Sequence, residues 1–172
     1  MSIWIDAGHG GKDPGAVGKG FLEKDQALTV ALAIQKECII LEKKAYLTRS
    51  DDRFVSLPNR VTNLKKDDVF ISVHFNASQS KTASGFEIFA KKNPTLEIKQ
   101  LQNDIHRNLL ILNKQYNIPD RGKKFADFYV LKNSKCRAVL IEILFIDNQN
   151  EMKKIIGTNY YKNLALAIAG AI

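Results

Sequence analysis

Apolar stretches alternate with helical patterns along the chain, which predicts an α/β layered domain. Ile3–Ala7 reads as a buried first strand, followed by a Gly-rich loop from Gly8 to about Leu22. The spacing of Leu28, Ala31, Leu32 and Ile39 predicts a helix over Asp25–Leu41 with those residues on its buried face. Ala45–Arg49 reads as a short strand and Leu57–Lys66 as a helix, with Pro58 in its first turn. Val69–Phe75 is a strand rich in β-branched and aromatic residues. Gly85–Ala90 is another, with Phe86, Ile88 and Ala90 on one face and Glu87 and Phe89 on the other. Pro94 opens a long helix through Gln115 carrying Leu96, Leu101, Ile105, Leu109 and Leu112. Phe128–Leu131 and Ala138–Ile143 read as strands, and a closing helix runs from Tyr160 to Ile168 or beyond.

No repeat, linker or compositional break interrupts this pattern, and 172 residues leave little room for a second core. With 45% hydrophobic and 26% charged residues, the chain is neither low-complexity nor disordered. No apolar run approaches the ~20 residues of a membrane span. Cys38 and Cys136 are too few for a disulfide scaffold and read as two buried thiols. The unusual bulk number is a net charge of +8. Its lysines come as scattered doublets, without a basic tail, zinc-finger spacing or aromatic ribonucleoprotein motif. That distribution argues against sequence-specific nucleic-acid binding and for a polyanionic surface as partner.

Ionisable residues at the carboxyl ends of buried strands are the informative positions, because open α/β sheets bind ligands there. His9 follows the first strand, His74 lies near the end of Val69–Asn76, and Glu142 ends the apolar run Val139-Leu140-Ile141. Glu23 follows the glycine loop and immediately precedes the first predicted helix. Two histidines and two carboxylates suit a zinc hydrolase, three holding the metal and one serving as general base. The intervals between them match no short zinc motif, so other roles stand beside this one. The histidines could be ordinary hydrogen-bonded residues, Glu23 could favour a helix N-terminus, and Glu142 could pair with Arg49 or Arg60. A nucleotide-binding reading of the loop fails, because a dinucleotide fingerprint from Gly8 and Gly10 meets Asp13 where a small residue is needed.

Gly8-His9-Gly10-Gly11-Lys12-Asp13-Pro14-Gly15-Ala16 with Glu23-Lys24 resembles the opening of the zinc-dependent N-acetylmuramoyl-L-alanine amidases. These are cell-wall hydrolases of bacterial autolysins and phage endolysins. Further matches follow in order: Leu47-Thr48-Arg49 with Asp52; Leu57, Arg60 and Asn63; Ile71 through Ala77; Gly85-Phe86-Glu87; Arg121-Gly122; Phe128 through Leu131; Val139 through Glu142; Phe145 and Asn148. The resemblance spans essentially the whole chain.

It implies a single domain over residues 1–172, built on a mixed, mostly parallel sheet of about six strands with helices on both faces. It implies one zinc ion per chain on His9, Glu23 and His74, with Glu142 as catalytic acid/base. The implied reaction is hydrolysis of the amide between the lactyl group of N-acetylmuramic acid and the L-alanine of the stem peptide. Rival activities are a zinc peptidase cutting elsewhere in the peptide and a wall-binding module without activity. Asn76 and Arg60 are expected to orient substrate or support the metal ligands. Leu144, two positions past Glu142, is expected on the same face, where it would narrow the cleft; relatives commonly carry a smaller residue there. Ala7 stands where many relatives have proline. The short Ser78–Ser84 connection leaves no room for the inserted inhibitory helix of some relatives. The implied partners are peptidoglycan and anionic wall polymers, and the expected unit is a monomeric catalytic domain. Met1–Asp6 shows no signal-peptide pattern. The expectation is therefore synthesis in the cytoplasm and action on the wall after phage-lysin-like release, or export if a signal was removed. A C-terminal wall-binding module is expected beyond Ile172.

Overall fold

The computed structural model describes residues 1–172. In chain order the elements are β1 (Ile3–Ala7), β2 (Val17–Gly18), β3 (Phe21–Leu22), α1 (Glu23–Ile40), β4 (Ala45–Leu47), α2 (Leu57–Val61) and β5 (Val69–Asn76). There follow β6 (Phe86–Ala90), α3 (Leu96–Gln115), β7 (Asp120–Phe125), α4 (Tyr129–Lys132), β8 (Arg137–Phe145), α5 (Gln149–Lys153) and α6 (Tyr160–Ala169). Six strands form one sheet in the order β4-β1-β5-β8-β6-β7, and β2 and β3 form a separate small hairpin. All neighbouring pairs in the large sheet are parallel except β6 with β8. The α/β layering expected from the alternating pattern, and the mixed, mostly parallel sheet of about six strands implied by the resemblance, are the architecture observed.

The two faces of the sheet are unequal. Residues of α1, α3 and α6 pack with Ile5, Ile71, Phe86, Ile88 and Ile141 in the main core. The opposite face carries a smaller cluster, in which Val61 of α2 and Val130 and Leu131 of α4 cover Phe70, Ala138 and Leu140. Helices do lie on both faces, but the long ones all lie on one. The thinly covered face keeps the carboxyl ends of β5 and β8 open.

Several local expectations are corrected. Phe128–Leu131 is not a strand; Tyr129–Lys132 is a helical turn that packs on the sheet. β-prone side chains here serve packing, and that overrides local preference. Asp120–Phe125, which carries no strand pattern in the sequence, forms one edge of the sheet, and its charged Asp-Arg-Gly-Lys-Lys composition suits an edge that must not pair further. The buried face of α1 is rotated: Ala27, Val30, Ala31, Ile34 and Cys38 are inside, while Leu32 and Ile39 are exposed. The α2 helix ends at Val61 rather than Lys66, and Leu96 begins α3 on the solvent side. Both cysteines are free and buried, as expected.

Leu144 is the correction that matters for function. Between the pairs His74↔Glu142 and Asn76↔Phe145, β8 uses three steps where β5 uses two. The extra residue is a β-bulge, and it flips every later side chain to the other face. Leu144 therefore enters the main core with no exposed surface, and it does not line the cleft. The displaced backbone is held by Glu151, whose carboxylate accepts from the Phe145 amide at 2.8 Å.

Candidate metal centre

His9, Glu23 and His74 come from three separate places. His9 follows β1, Glu23 is the first residue of α1, and His74 lies in β5. Each offers one ligand atom, and these atoms lie within 4.8 Å of one another. The two imidazoles are edge-to-face with centroids 5.0 Å apart. Glu23 bridges them: Oε2 lies 3.1 Å from His9 Nε2 and Oε1 lies 2.8 Å from His74 Nδ1. The same carboxylate accepts from the amides of Ala16 and Phe75, at 2.8 and 3.0 Å. His9 uses its other nitrogen, Nδ1, to contact Asp13 Oδ2 at 2.8 Å. That contact fixes the ring and directs Nε2 inward, the usual outer support of a metal-binding histidine.

The loop after β1 is tied down by two buried arginines. Arg49 donates to the carbonyls of Ala7, Gly8 and Lys24, at 3.0, 2.8 and 2.7 Å. Arg60 donates to the carbonyls of Ala7 and His9, at 2.6 and 2.7 Å, and pairs with Asp6 at 2.8 Å. Asp6 also accepts from Thr48 and Ser72, so its charge is fully engaged. These bonds hold His9 in a left-handed conformation, φ 59°, which costs a non-glycine residue energy that the surroundings must supply. Two of the glycines that leave no room for a Cβ stand against the site residues themselves. A Cβ on Gly8 would stand 2.4 Å from the His74 ring, and one on Gly15 (φ +66°) would stand 2.6 Å from both Glu23 and His9.

Glu142 is the Cα partner of His74 on one side and of Glu87 on the other. Its Oε2 is buried without a hydrogen-bond partner. Neither Arg49 nor Arg60 bonds to it; their donors go to Asp6 and to backbone carbonyls, so the alternative of a structural ion pair is not what is found. Burial pushes the carboxyl up to about 7; Glu23 and Glu87 add to this and the two histidines oppose it. Burial would likewise raise Glu23, but the hydrogen bonds from His74 and His9 outweigh it and hold the carboxyl well below the usual range. Burial pulls His9 down, yet Glu23 and Asp13 prevail and raise it to about 9. Burial pulls His74 down as well, but Glu23, with Glu142 and Asp6, raises it. A centre that draws protons onto two imidazoles around one carboxylate has the electrostatics of a cation site.

His9, His74 and Glu142 line a cavity of about 340 Å³ together with Asp13, Arg60, Phe54, Val55, Leu57 and Tyr129. Of the expected supporting residues, Asn76 donates to Glu87 at 2.7 Å, and Arg60 braces the His9 loop rather than offering donors to the cavity. Sequence reasoning gave no role to Asp13 or Glu87. Asp13 carried a legible signal, standing four residues after His9 in a loop whose glycines allow it to fold back. Glu87 carried one too, a carboxylate inside an otherwise apolar strand.

The family model for N-acetylmuramoyl-L-alanine amidase matches residues 3–172. The endolysin of Bacillus phage SPP1 is 41% identical over 157 residues, covering 87% of this chain and 56% of the relative. A sporulation-specific N-acetylmuramoyl-L-alanine amidase of Bacillus subtilis is 34% identical, covering 100% of this chain and 67% of the relative. The chain thus spans little over half the length of the phage relative. Among solved structures, the catalytic domain of CwlV, an N-acetylmuramoyl-L-alanine amidase from Bacillus (Paenibacillus) polymyxa, superposes with a TM-score of 0.89 at 32% identity, covering 99% of this chain and 96% of that one. An N-acetylmuramoyl-L-alanine amidase from Clostridium difficile 630 gives 0.90 at 30% identity, covering 99% and 93%.

Proposed function

Because the chain belongs to the N-acetylmuramoyl-L-alanine amidase family, we propose that it hydrolyses the amide between the lactyl group of N-acetylmuramic acid and the L-alanine of the stem peptide. One zinc ion on His9, Glu23 and His74 and a proton carrier at Glu142 complete the reading. The observation that carries it is the convergence of three metal-ligating atoms beside a carboxylate whose buried oxygen has no partner. The donor set, two imidazoles and one carboxylate with Asp13 behind His9, fits zinc.

A zinc ion bound there supplies Lewis acidity, polarising the scissile carbonyl and easing deprotonation of water. The rest falls to the chain's own residues. Glu142 Oε2 takes the proton of the attacking water and delivers it to the alanine nitrogen as the C–N bond breaks. Its Oε2, buried beside the candidate ligands with no hydrogen-bond partner of its own, is free to do both. The apolar wall of Phe54, Val55 and Leu57 excludes water and offers packing surface to the lactyl group and sugar. The +8 net charge favours association with anionic wall polymers.

Digestion of purified peptidoglycan with and without chelator tests the proposal. The expected result is new L-alanine amino termini, intact glycan strands, and loss of release on chelation. Other new termini would make the protein a peptidase. Binding without any new terminus would make it a wall-binding module.

A further inference from the structure

The polar row through Glu142 does not end there. On the thinly covered face of the sheet, Glu142 of β8 is followed by Glu87 of β6, and then by Arg121 and Lys124 of the edge strand β7. Glu87 is buried and accepts from Asn76 Nδ2 at 2.7 Å, from Arg121 Nε at 3.0 Å and from Lys124 Nζ. One carboxylate faces two cations, which leaves one positive charge over. The Arg121 guanidinium also stacks on Phe145, 4.9 Å from the ring centre. Phe145 reaches this face because of the bulge that sends Leu144 inward.

The guanidinium is thus held along one edge and one plane. Its Nη1 makes only a long 3.5 Å contact to the Ser84 carbonyl, so its terminal nitrogens have donors to spare. The side chains of Arg121 and Lys124 are 36% and 38% exposed. A planar fork fixed by stacking and an Nε bond, with its end free, is suited to accepting a carboxylate end-on.

Distance then selects which carboxylate. Strands lie about 4.8 Å apart, so β7 is about 10 Å from Glu142, and Arg121 leans back over Glu87 to shorten that gap. Two extended residues span about 7 Å. The group at that distance from the scissile amide is on the second residue of the stem peptide. When that residue is a D-glutamate joined through its side chain, its α-carboxylate is free.

We propose that Arg121 and Lys124, preset by Glu87 and Phe145, form a carboxylate subsite that reads the second stem residue and favours its free acid over its amide. This rests on the amidase reading for the orientation of the substrate. Charge-assisted hydrogen bonds at a partly exposed, pre-positioned fork give a preference of about tenfold.

The test uses two soluble muramoyl tripeptides, L-alanine, side-chain-linked D-glutamate and L-lysine amide, differing only in a free or amidated α-carboxyl. The zinc-loaded wild type should show kcat/KM about tenfold higher for the free acid. In Arg121→Gln the ratio should fall to within about twofold of unity, and Lys124→Gln should lower it in the same direction. A general structural defect would depress both substrates and leave the ratio unmoved. Lys124, held by a single ion pair, keeps the test open if Arg121→Gln fails to fold. A wild-type ratio near unity, or a ratio unchanged in folded variants, overturns the subsite. If the wild type cleaves neither substrate, the amidase reading fails, and titration of the two free tripeptides into the protein decides the subsite alone. Tighter binding of the free acid that is lost in the variants supports it, and equal affinity overturns it.

Discussion

Glu142 owes its candidate role to a conflict between where it sits and what it can bond. A carboxylate oxygen buried without a donor costs the fold free energy that apolar neighbours cannot return. Substrate, water or a leaving amine would relieve that cost during turnover. Glu142→Gln keeps the shape and removes the exchangeable proton. It should retain metal and lower turnover by about 10²-fold or more; near-normal turnover with metal bound would return Glu142 to a structural role. Gly15 tests the other half of the centre. Its left-handed backbone and the 2.6 Å approach of any Cβ to Glu23 and His9 mean that Gly15→Ala must push those two side chains away. Metal affinity should fall by roughly tenfold or more while far-UV circular dichroism stays native. Unchanged affinity would show that the ligands yield more freely than the packing implies.

At the scale of elements, the bulge in β8 decides which residues can be functional. Before it, Glu142 faces the cleft; after it, Phe145 does, and Leu144 is interior. Leu144→Ala should therefore cost about 2–5 kcal/mol of stability, as core truncations do, and leave the preference between stem peptides unchanged. A shift in substrate preference at full stability would put Leu144 back in the cleft. The bulge was not legible in the chain because it is fixed by Glu151, which captures the Phe145 amide from outside the strand, and no local pattern encodes that capture. The same holds for the edge strand Asp120–Phe125, whose charges conceal its period, and for Tyr129–Lys132, whose side chains read as strand until their packing is seen. What was legible was chemistry at strand ends. The apolar run closing on Glu142 and the histidines after β1 and within β5 stood out as residue types in the wrong company. Their convergence was not visible from spacing, because it depends on strand order, and β1, β5 and β8 become neighbours only through long crossovers. The ordered motifs of the family resemblance supplied what spacing could not.

At the scale of the whole molecule, a metal bound at the candidate centre would be coupled to protons and to folding. With no cation bound, His9 has its folded pKa raised to about 9 against an ordinary 6.5. The folded chain therefore holds more protons than the unfolded one between those values. This contribution to stability is fully present below about pH 6.5 and is lost as pH rises through about 9. Glu142 acts in the same direction over a lower window. Its carboxyl is raised from 4.5 to about 7, so the fold favours the neutral form and loses stability as pH rises from 4.5 to about 7. Glu23, held low by its histidines, works oppositely: its contribution is present above the unfolded carboxylate pKa and is lost in acid. Between pH 6.5 and 9 the chelated protein should thus become steadily less stable. The loaded protein should do the reverse relative to it, because imidazoles must shed their protons to bind metal and each step up in pH removes that competition. The difference in melting temperature between zinc-loaded and chelated protein should widen from pH 6 to pH 8.5. Scanning calorimetry at matched ionic strength measures it, and a gap that stays constant or narrows would mean that His9 is not held by Glu23 and Asp13 as described. His9→Gln, which removes one of the two raised imidazoles, should lessen the chelated protein's decline above pH 7 and leave the share of His74, and it should abolish most of the gain from zinc at every pH.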